Sequence, residues 1–347
     1  MMTKYTLSAF MALLICLFWG FNSAIIGPNI AATTKGPMAK ITLAVETSLL
    51  TGAVWVAQKK GYYRDEALDI TIKEFSTGRD SFLAMLNSDA IDISTVAPTP
   101  IVFSSFDRAD FSVLATFAYS YDDVKIIVSK DSGIVDHTDL TGKTIATPFG
   151  TTGQFFLASY LELNEIPSSA IKIVDIDPDK LPAALATNQV DAIVIWEPHA
   201  YQARQLLNNT ERQLETSQVY RETFNFMVMN DFAKAHSATL EGFLRANLRA
   251  TEFIQNNALE AQAIISQRLN IDIAVVSALW KQFTFKIVLD QSLLTTFEDE
   301  ARWAITSALT VQRNVPNYLD FLAPLPLTKV KPSAVTVIHA AQGHHEN

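Results

Sequence analysis

The stretch LNSDAID at residues 86–92 is echoed by LATNQVD at residues 185–191. In both copies an apolar residue falls five positions after the leucine, and an aspartate follows it. Each copy leads into an apolar run that ends at a proline, APT at residues 97–99 and WEP at residues 196–198. Two similar βαβ lobes in one chain predict a cleft between them, and clefts between domains are where small ligands bind.

Strand and helix patterns alternate around both copies. In the first half the predicted strands are 40–45, 68–75, 91–96, 113–117 and 125–128, and the predicted helices are 53–60 and 80–86. In the second half the predicted strands are 143–147, 171–175 and 190–196, and the predicted helices are 154–164 and 183–186. Such alternation predicts a mainly parallel sheet in each half.

The chain beyond residue 225 becomes helical, with predicted helices at 239–256, 259–268, 273–283 and 293–312. We expect this part to return to the first lobe. The predicted division assigns 40–127 and 226–325 to a discontinuous first lobe, 128–225 to a second lobe and 326–347 to a polar tail. The predicted class is therefore α/β, with a mixed, helix-flanked sheet in each lobe. Two connecting segments would form a hinge that lets the lobes close on a ligand.

Composition sets limits on the class of protein. Of 347 residues, 49% are hydrophobic and 18% are charged, which predicts a packed core rather than disorder. The net charge of −9, without a run of Lys and Arg, argues against a nucleic-acid partner.

Residues 1–32 read as a targeting segment. Lys4 precedes an almost wholly apolar run at 7–21, and two alanines at 31–32 offer a cleavage site. The alternative is an uncleaved membrane anchor, because the apolar run could extend to Ile26. Either interpretation places the remaining chain outside the cytoplasmic membrane and predicts a periplasmic protein, cleaved or anchored.

The sequence offers little support for an enzyme. The single cysteine, Cys16, lies in the targeting segment, which excludes disulfides and thiol catalysis in a cleaved chain. The six histidines show no metal-binding spacing except for the terminal pair, and no nucleophile-elbow motif is present. We therefore expect no catalytic residue, no metal and no cofactor.

The strongest local binding signal is TPFGTTGQ at residues 147–154. A strand ends, a turn follows and a helix begins, so free N–H groups and the helix dipole would attract an anion. Gly150, Thr151 and Thr152 are the candidate ligand-binding residues. The alternative is that one of the threonines only caps the helix.

The first lobe offers similar turns. Thr77, Gly78 and Arg79 lie in a segment taken as the counterpart of 147–154, where Arg79 could pair with an oxyanion or remain solvated. Thr47 and Ser48 follow the first strand, at the edge of the sheet where ligands of α/β proteins sit. Their neighbour Glu46 could accept from an amine or form an ion pair.

The strand ends after the repeated stretch give the remaining candidates. Pro98 and Thr99 end the first copy, and Trp196 and Glu197 end the second. Trp196 would supply an apolar wall or a cation–π contact, and Glu197 would bind an amino group. Alternatively, Pro198 starts a helix and Glu197 favours its dipole. Tyr119 is a weaker candidate.

The chain resembles the periplasmic substrate-binding proteins of ABC importers, in their nitrate/sulfonate/taurine and thiamine-precursor branch (the NMT1/THI5-like group). The resemblance covers roughly residues 40–320. It rests on the order and spacing of GYY at 61–63, LDI at 68–70, the stretch 86–92, DLTGKTIA at 139–146, and VDA with WEP at 190–198.

This resemblance implies a two-lobed type II periplasmic-binding-protein fold with a ligand-binding cleft. It implies a monomer that captures a small anionic or zwitterionic solute, such as a sulfonate, taurine or nitrate, and delivers it to an ABC permease. Membrane contact would be limited to the permease or an uncleaved N-terminus. Two alternatives stay open: binding of an aminopyrimidine thiamine precursor, and a periplasmic sensor module of a signalling system.

Overall fold

The computed structural model of the protein describes residues 37–216 and 219–337. The predicted targeting segment, with Cys16, and residues 338–347 lie outside this part of the chain. Within the described ranges, no helix is both long and apolar enough to cross a membrane.

The order of elements follows the alternating pattern. The first series is β1 (Ala39–Glu46), α1 (Gly52–Lys59), α2 (Tyr62–Asp65), β2 (Leu68–Phe75), α3 (Gly78–Leu86), β3 (Ile93–Val96), α4 (Pro98–Ser105) and β4 (Phe111–Ser120). The second is β5 (Lys125–Val128), β6 (Thr144–Thr147), α5 (Thr152–Leu163), β7 (Lys172–Asp175), α6 (Leu181–Ala186), β8 (Ala192–Ile195), α7 (His199–Leu206) and β9 (Arg212–Gln213). The returning chain forms β10 (Glu222–Met229), α8 (Asn230–Ala235), α9 (Ser237–Asn256), α10 (Ala258–Leu269), α11 (Ile273–Leu279), β11 (Phe283–Val288), α12 (Gln291–Thr306) and α13 (Pro324–Val330).

Two mixed sheets, each with its own hydrophobic core, define two lobes. The first sheet has the order β11-β4-β10-β3-β1-β2, and the second has the order β7-β6-β8-β5-β9. The strands β2, β1 and β3 are parallel, as are β7, β6 and β8. One strand of each lobe follows a crossover and is antiparallel to its neighbour. In the first lobe β10 pairs with β3, and in the second lobe β5 pairs with β8. The predicted α/β class with mixed sheets is confirmed.

The repeated stretch has a structural explanation. Asp92 Oδ2 accepts a hydrogen bond of 2.7 Å from the Thr42 N–H on β1, and Asp191 Oδ2 accepts one of 2.8 Å from the Thr144 N–H on β6. The backbone N–H groups of the two aspartates donate back to the carbonyls of the same threonines. Asp92 therefore joins the entry of β3 to β1, and Asp191 joins the entry of β8 to β6.

The predicted helix 273–283 was wrong at its C-terminal end. The helix α11 ends at Leu279, and the chain continues through a short 3₁₀ turn into β11, which pairs antiparallel with β4. The sequence FTFKIV of β11 alternates buried and exposed side chains over its first four residues, which is the period of a half-buried strand.

The lobe boundaries differ from the predicted ones by a few residues. Lys125 pairs with Ile195 in the second sheet, and Glu222 pairs with Ser120 in the first. We therefore propose that the chain leaves the first lobe at residues 121–124 and returns to it at Glu222. The segment predicted as a tail belongs to the first lobe as far as residue 337, because Leu327 is fully buried and Val337 is 8% exposed in the first core.

Candidate ligand-binding site

A small cavity lies between the two lobes. Its volume of about 20 Å³ is room for about one water molecule, so the lobes enclose it closely. The residues lining it are Glu46, Leu50, Thr77, Gly78, Arg79, Ala97, Pro100, Asp123, Thr151, Thr152, Trp196 and Glu222. Both lobes contribute, as do residues at both crossovers, and several of these residues follow the carboxyl ends of parallel strands, as the rule for α/β sheets predicts.

The starts of two helices face the cavity from opposite lobes. In α3 the hydroxyl of Thr77 caps the helix by accepting from the Asp80 N–H at 3.0 Å. In α5 the N-cap residue Thr151 instead donates its hydroxyl to the Pro148 carbonyl at 2.7 Å. The hydroxyl groups of Thr77 and Thr151 are thus hydrogen-bonded within their own turns. Thr152, the first residue of α5, lines the cavity.

Glu46 is the last residue of β1 and is 5% exposed. The N–H of Gly78, at the start of α3, faces its carboxyl group, and the indole N–H of Trp196 approaches it from the other lobe. These two donors lower the pKa of Glu46, but burial and the nearby Asp123 outweigh them and raise it to about 8. Glu46 therefore holds a proton readily at neutral pH.

Asp123, on the first crossover, and Glu222, the first residue of β10 after the second crossover, form a carboxyl pair. They are 2% and 5% exposed, and Asp123 Oδ1 and Glu222 Oε2 have no hydrogen-bond partner within 3.5 Å. Burial raises the pKa of Asp123 to about 7 although the Lys125 cation opposes the rise. Burial, with Asp123 beside it, raises the pKa of Glu222 well above its usual range. Two carboxyl groups this close share a proton rather than ionise together.

Lys125, at the start of β5, is a buried cation with a 2% exposed side chain. Its ammonium group lies 3.5 Å from Glu197 Oε1 and donates to Gln282 Oε1 at 3.0 Å and to the Asp122 carbonyl. Arg204 on α7 also binds the Glu197 carboxylate. Glu197 is therefore neutralised inside the protein and does not line the cavity.

Arg79 joins the two lobes directly. Its guanidinium Nη1 donates a 2.5 Å hydrogen bond to the Phe149 carbonyl, in the turn before α5. Gly150 in the same turn has a φ of +69°, and a Cβ there would lie 3.4 Å from Arg79 Nη1. Arg79 thus bridges the cleft between the first and second lobes.

Six of the predicted site residues line the cavity, namely Thr77, Gly78, Arg79, Thr151, Thr152 and Trp196. Of these, Trp196 is 6% exposed, and its indole N–H faces Glu46 without reaching hydrogen-bond geometry. Whether any of the six binds a ligand stays a prediction.

The other seven predicted residues lie elsewhere and have other contacts. Thr47 bonds Glu74 Oε2 at 3.4 Å, Ser48 contacts Thr51, and Gly150 N–H donates to Gln154. The Tyr119 ring lies 4.1 Å under the Arg221 guanidinium. Pro98 begins α4, Thr99 lies beside the Glu300 carboxyl, and Glu197 is ion-paired as described.

Asp123 and Glu222 were missed by the sequence reasoning, and Glu46 was considered only as an alternative. No local motif marks the first two, because neither follows a glycine-rich turn. Their position at the crossovers was the usable signal, since crossovers border the cleft. The segment 76–81 was also mistaken for the counterpart of 147–154. The Asp92 and Asp191 bonds equate β1 with β6, so α1 is the counterpart of α5.

Comparisons with known proteins agree with this architecture. Residues 51–261 match the family described as NMT1/THI5 like, and the chain belongs to this family of substrate-binding proteins. A Bacillus subtilis (strain 168) protein named for aliphatic sulfonate binding is 27% identical over 268 residues, which is 74% of this chain and 77% of that protein. The taurine-binding periplasmic protein of Escherichia coli (strain K12) is 22% identical over 61% of this chain and 65% of its own.

Solved structures share the fold. The alkanesulfonate-binding protein SsuA from Xanthomonas axonopodis pv. citri, bound to MOPS, aligns with a TM-score of 0.70 at 20% identity, over 83% of this chain and 97% of that one. The aliphatic sulphonate binding protein SsuA from Escherichia coli aligns with a TM-score of 0.69 at 17% identity, over 82% and 97%. The periplasmic-binding-protein fold is therefore confirmed.

Metal binding finds no support in the part of the chain that the structure describes, where no group of three or more His, Cys, Asp and Glu residues is placed to hold an ion.

Proposed function

We propose that this protein is an exported, monomeric solute-binding protein that captures one small molecule between its lobes and delivers it to an ABC importer. The carrying observation is the enclosed cavity, which is lined by both lobes and by residues at both crossovers. A ligand that contacts both lobes stabilises the closed arrangement over an open one, and a permease can then recognise the closed form. Membership of the substrate-binding family supports binding without catalysis.

The chemistry of the solute is constrained by the lining. The names of the relatives favour a sulfonate or taurine. The helix start of α5 supports an acidic group, whereas Glu46, Asp123 and Glu222 support a nitrogen group that donates hydrogen bonds. Among the solute classes left open by the sequence, this mixture favours a zwitterion such as taurine or an aminopyrimidine over nitrate.

The capture function is tested with the purified protein and a panel of methanesulfonate, taurine, nitrate and 4-aminopyrimidine. We expect at least one probe to raise the melting temperature and to reduce the radius of gyration in small-angle X-ray scattering. Probe recovered unchanged after denaturation supports binding without turnover. A probe that is converted on incubation would instead identify an enzyme.

A further inference from the structure

We propose that the solute carries a positively charged nitrogen group, such as an amidinium, guanidinium or alkylammonium, which Glu46, Asp123 and Glu222 bind together. This inference rests on the proposed capture function and specifies the chemical class of the captured molecule. It predicts that small cations without an acidic group bind better than sulfonates or nitrate.

The lining is dominated by carboxyl groups. Glu46, Asp123 and Glu222 face the cavity, and Arg79 is the one basic side chain among the lining residues. Arg79 donates to the Phe149 carbonyl across the cleft, and its side chain is 42% exposed. A solute inside the cavity therefore meets three acceptors of positive charge.

Unpartnered acceptors mark where the nitrogen group would bind. Asp123 Oδ1 and Glu222 Oε2 are buried and make no hydrogen bond within 3.5 Å. Without a solute the pair relies on its shared proton, and the N–H donors of a cationic solute would replace that proton. Trp196, whose ring also lines the cavity, adds an aromatic surface suited to a cation.

The start of α3, where an external oxyanion would bind, is already occupied by the Glu46 carboxyl group. A Cβ on Gly78 would lie 3.2 Å from Glu46 Oε2, which places the protein's own carboxyl against the start of this helix. Helix starts normally attract external anions. Here the Gly78 N–H faces the Glu46 carboxyl group, which repels a second anion when it is ionised.

The nearby cations do not balance the negative charge of the carboxyl groups around the cavity. Lys125 is occupied by Glu197, Gln282 and the Asp122 carbonyl, and Arg204 by Glu197. Glu46, Asp123, Glu197 and Glu222 outnumber these two cations. The excess negative charge must be neutralised by protons or by a cationic solute. Binding of a cation should therefore release protons.

The test uses titration calorimetry at pH 7 with acetamidinium, methylammonium, taurine, methanesulfonate and nitrate, in two buffers of different ionisation enthalpy. The probes are small because the cavity is small. We expect acetamidinium or methylammonium to bind with proton release, and methanesulfonate and nitrate to bind at least about tenfold more weakly.

The variant Glu46→Gln should weaken binding of the cationic probe by about tenfold or more, because it removes a carboxyl group that ionises when the cation binds. Glu300→Gln is the matched control: this buried carboxyl lies outside the lining and should leave the affinity unchanged. Asp123→Asn serves as a second test if Glu46→Gln does not fold by circular dichroism.

The outcomes separate this inference from the capture function. Tighter binding of methanesulfonate or nitrate than of either cation, with compaction in X-ray scattering, would overturn the cationic class and leave capture intact. Equal affinity of wild type and Glu46→Gln for the cations would also overturn it. If none of the five probes binds or compacts the protein, both proposals fail.

Discussion

Individual buried carboxyl groups set the electrostatic character of this protein. Glu300 on α12 is fully buried and accepts a hydrogen bond of 2.9 Å from the Tyr220 hydroxyl. Burial raises the pKa of Glu300 to about 8, and Glu46 is raised to a similar value for the same reason. Both groups are stable when protonated and costly when ionised.

Stability should consequently fall with rising pH. The folded-state pKa of Glu300 lies above the ordinary value of 4.5, so its contribution is complete below pH 4.5 and lost as the pH rises to about 8. We expect Glu300→Gln to remove up to about 5 kcal/mol of this pH dependence. The measurement is urea denaturation across that range. Glu298→Gln, on the same helix but exposed, should keep the wild-type profile.

Helix starts and strand ends are positioned by close backbone contacts. Gly153, in the first turn of α5, packs against Thr147 on β6 and the Val194 carbonyl on β8. A Cβ at this position would overlap Thr147 Oγ1 and lie 3.3 Å from the Val194 carbonyl, and the latter cannot move without breaking the sheet. This contact fixes where α5 presents Thr151 and Thr152.

The substitution Gly153→Ala should therefore displace α5 and destabilise the protein by about 1–3 kcal/mol. Binding of the solute should weaken as well, because the start of α5 lines the cavity. Gly242→Ala is the control, since Gly242 lies within α9 and a Cβ there would be 3.5 Å from its nearest neighbour, Glu66 Cβ. The control should be neutral or stabilise the protein by up to about 1 kcal/mol. The midpoints of urea unfolding are compared between the two variants. Equal midpoints would contradict the view that the close contact at Gly153 positions α5.

At the scale of the whole molecule, a single side chain joins the two lobes across the cleft. The hydrogen bond from Arg79 to the Phe149 carbonyl spans the cleft, and Arg79 lines the same cavity as Asp123 and Glu222. The bond can form only when the lobes are close together. It should thus favour the closed state without being part of either core.

Removing this bridge with Arg79→Ala should speed solute release about three- to tenfold and leave the stability of the ligand-free protein nearly unchanged. Stopped-flow tryptophan fluorescence measures the release rate, and X-ray scattering measures the degree of closure. Lys180→Ala removes an exposed cation that pairs with Asp177 and is the control. A release rate equal to wild type would show that this bond does not hold the lobes.

The sequence by itself determined the alternating α/β pattern, the repeated stretch and the family. These depend on local periodicity, on turn residues and on short motifs, which can be read along one segment. It also placed Thr77, Gly78, Thr151, Thr152 and Trp196 at strand ends that face the cleft. The tertiary structure decided the rest. The return of the chain through β10 brings Glu222 against Asp123, and β1 ends at Glu46 beside them. Burial among residues distant in sequence created both the carboxyl-lined cavity and its raised pKa values, and no local pattern encodes that proximity.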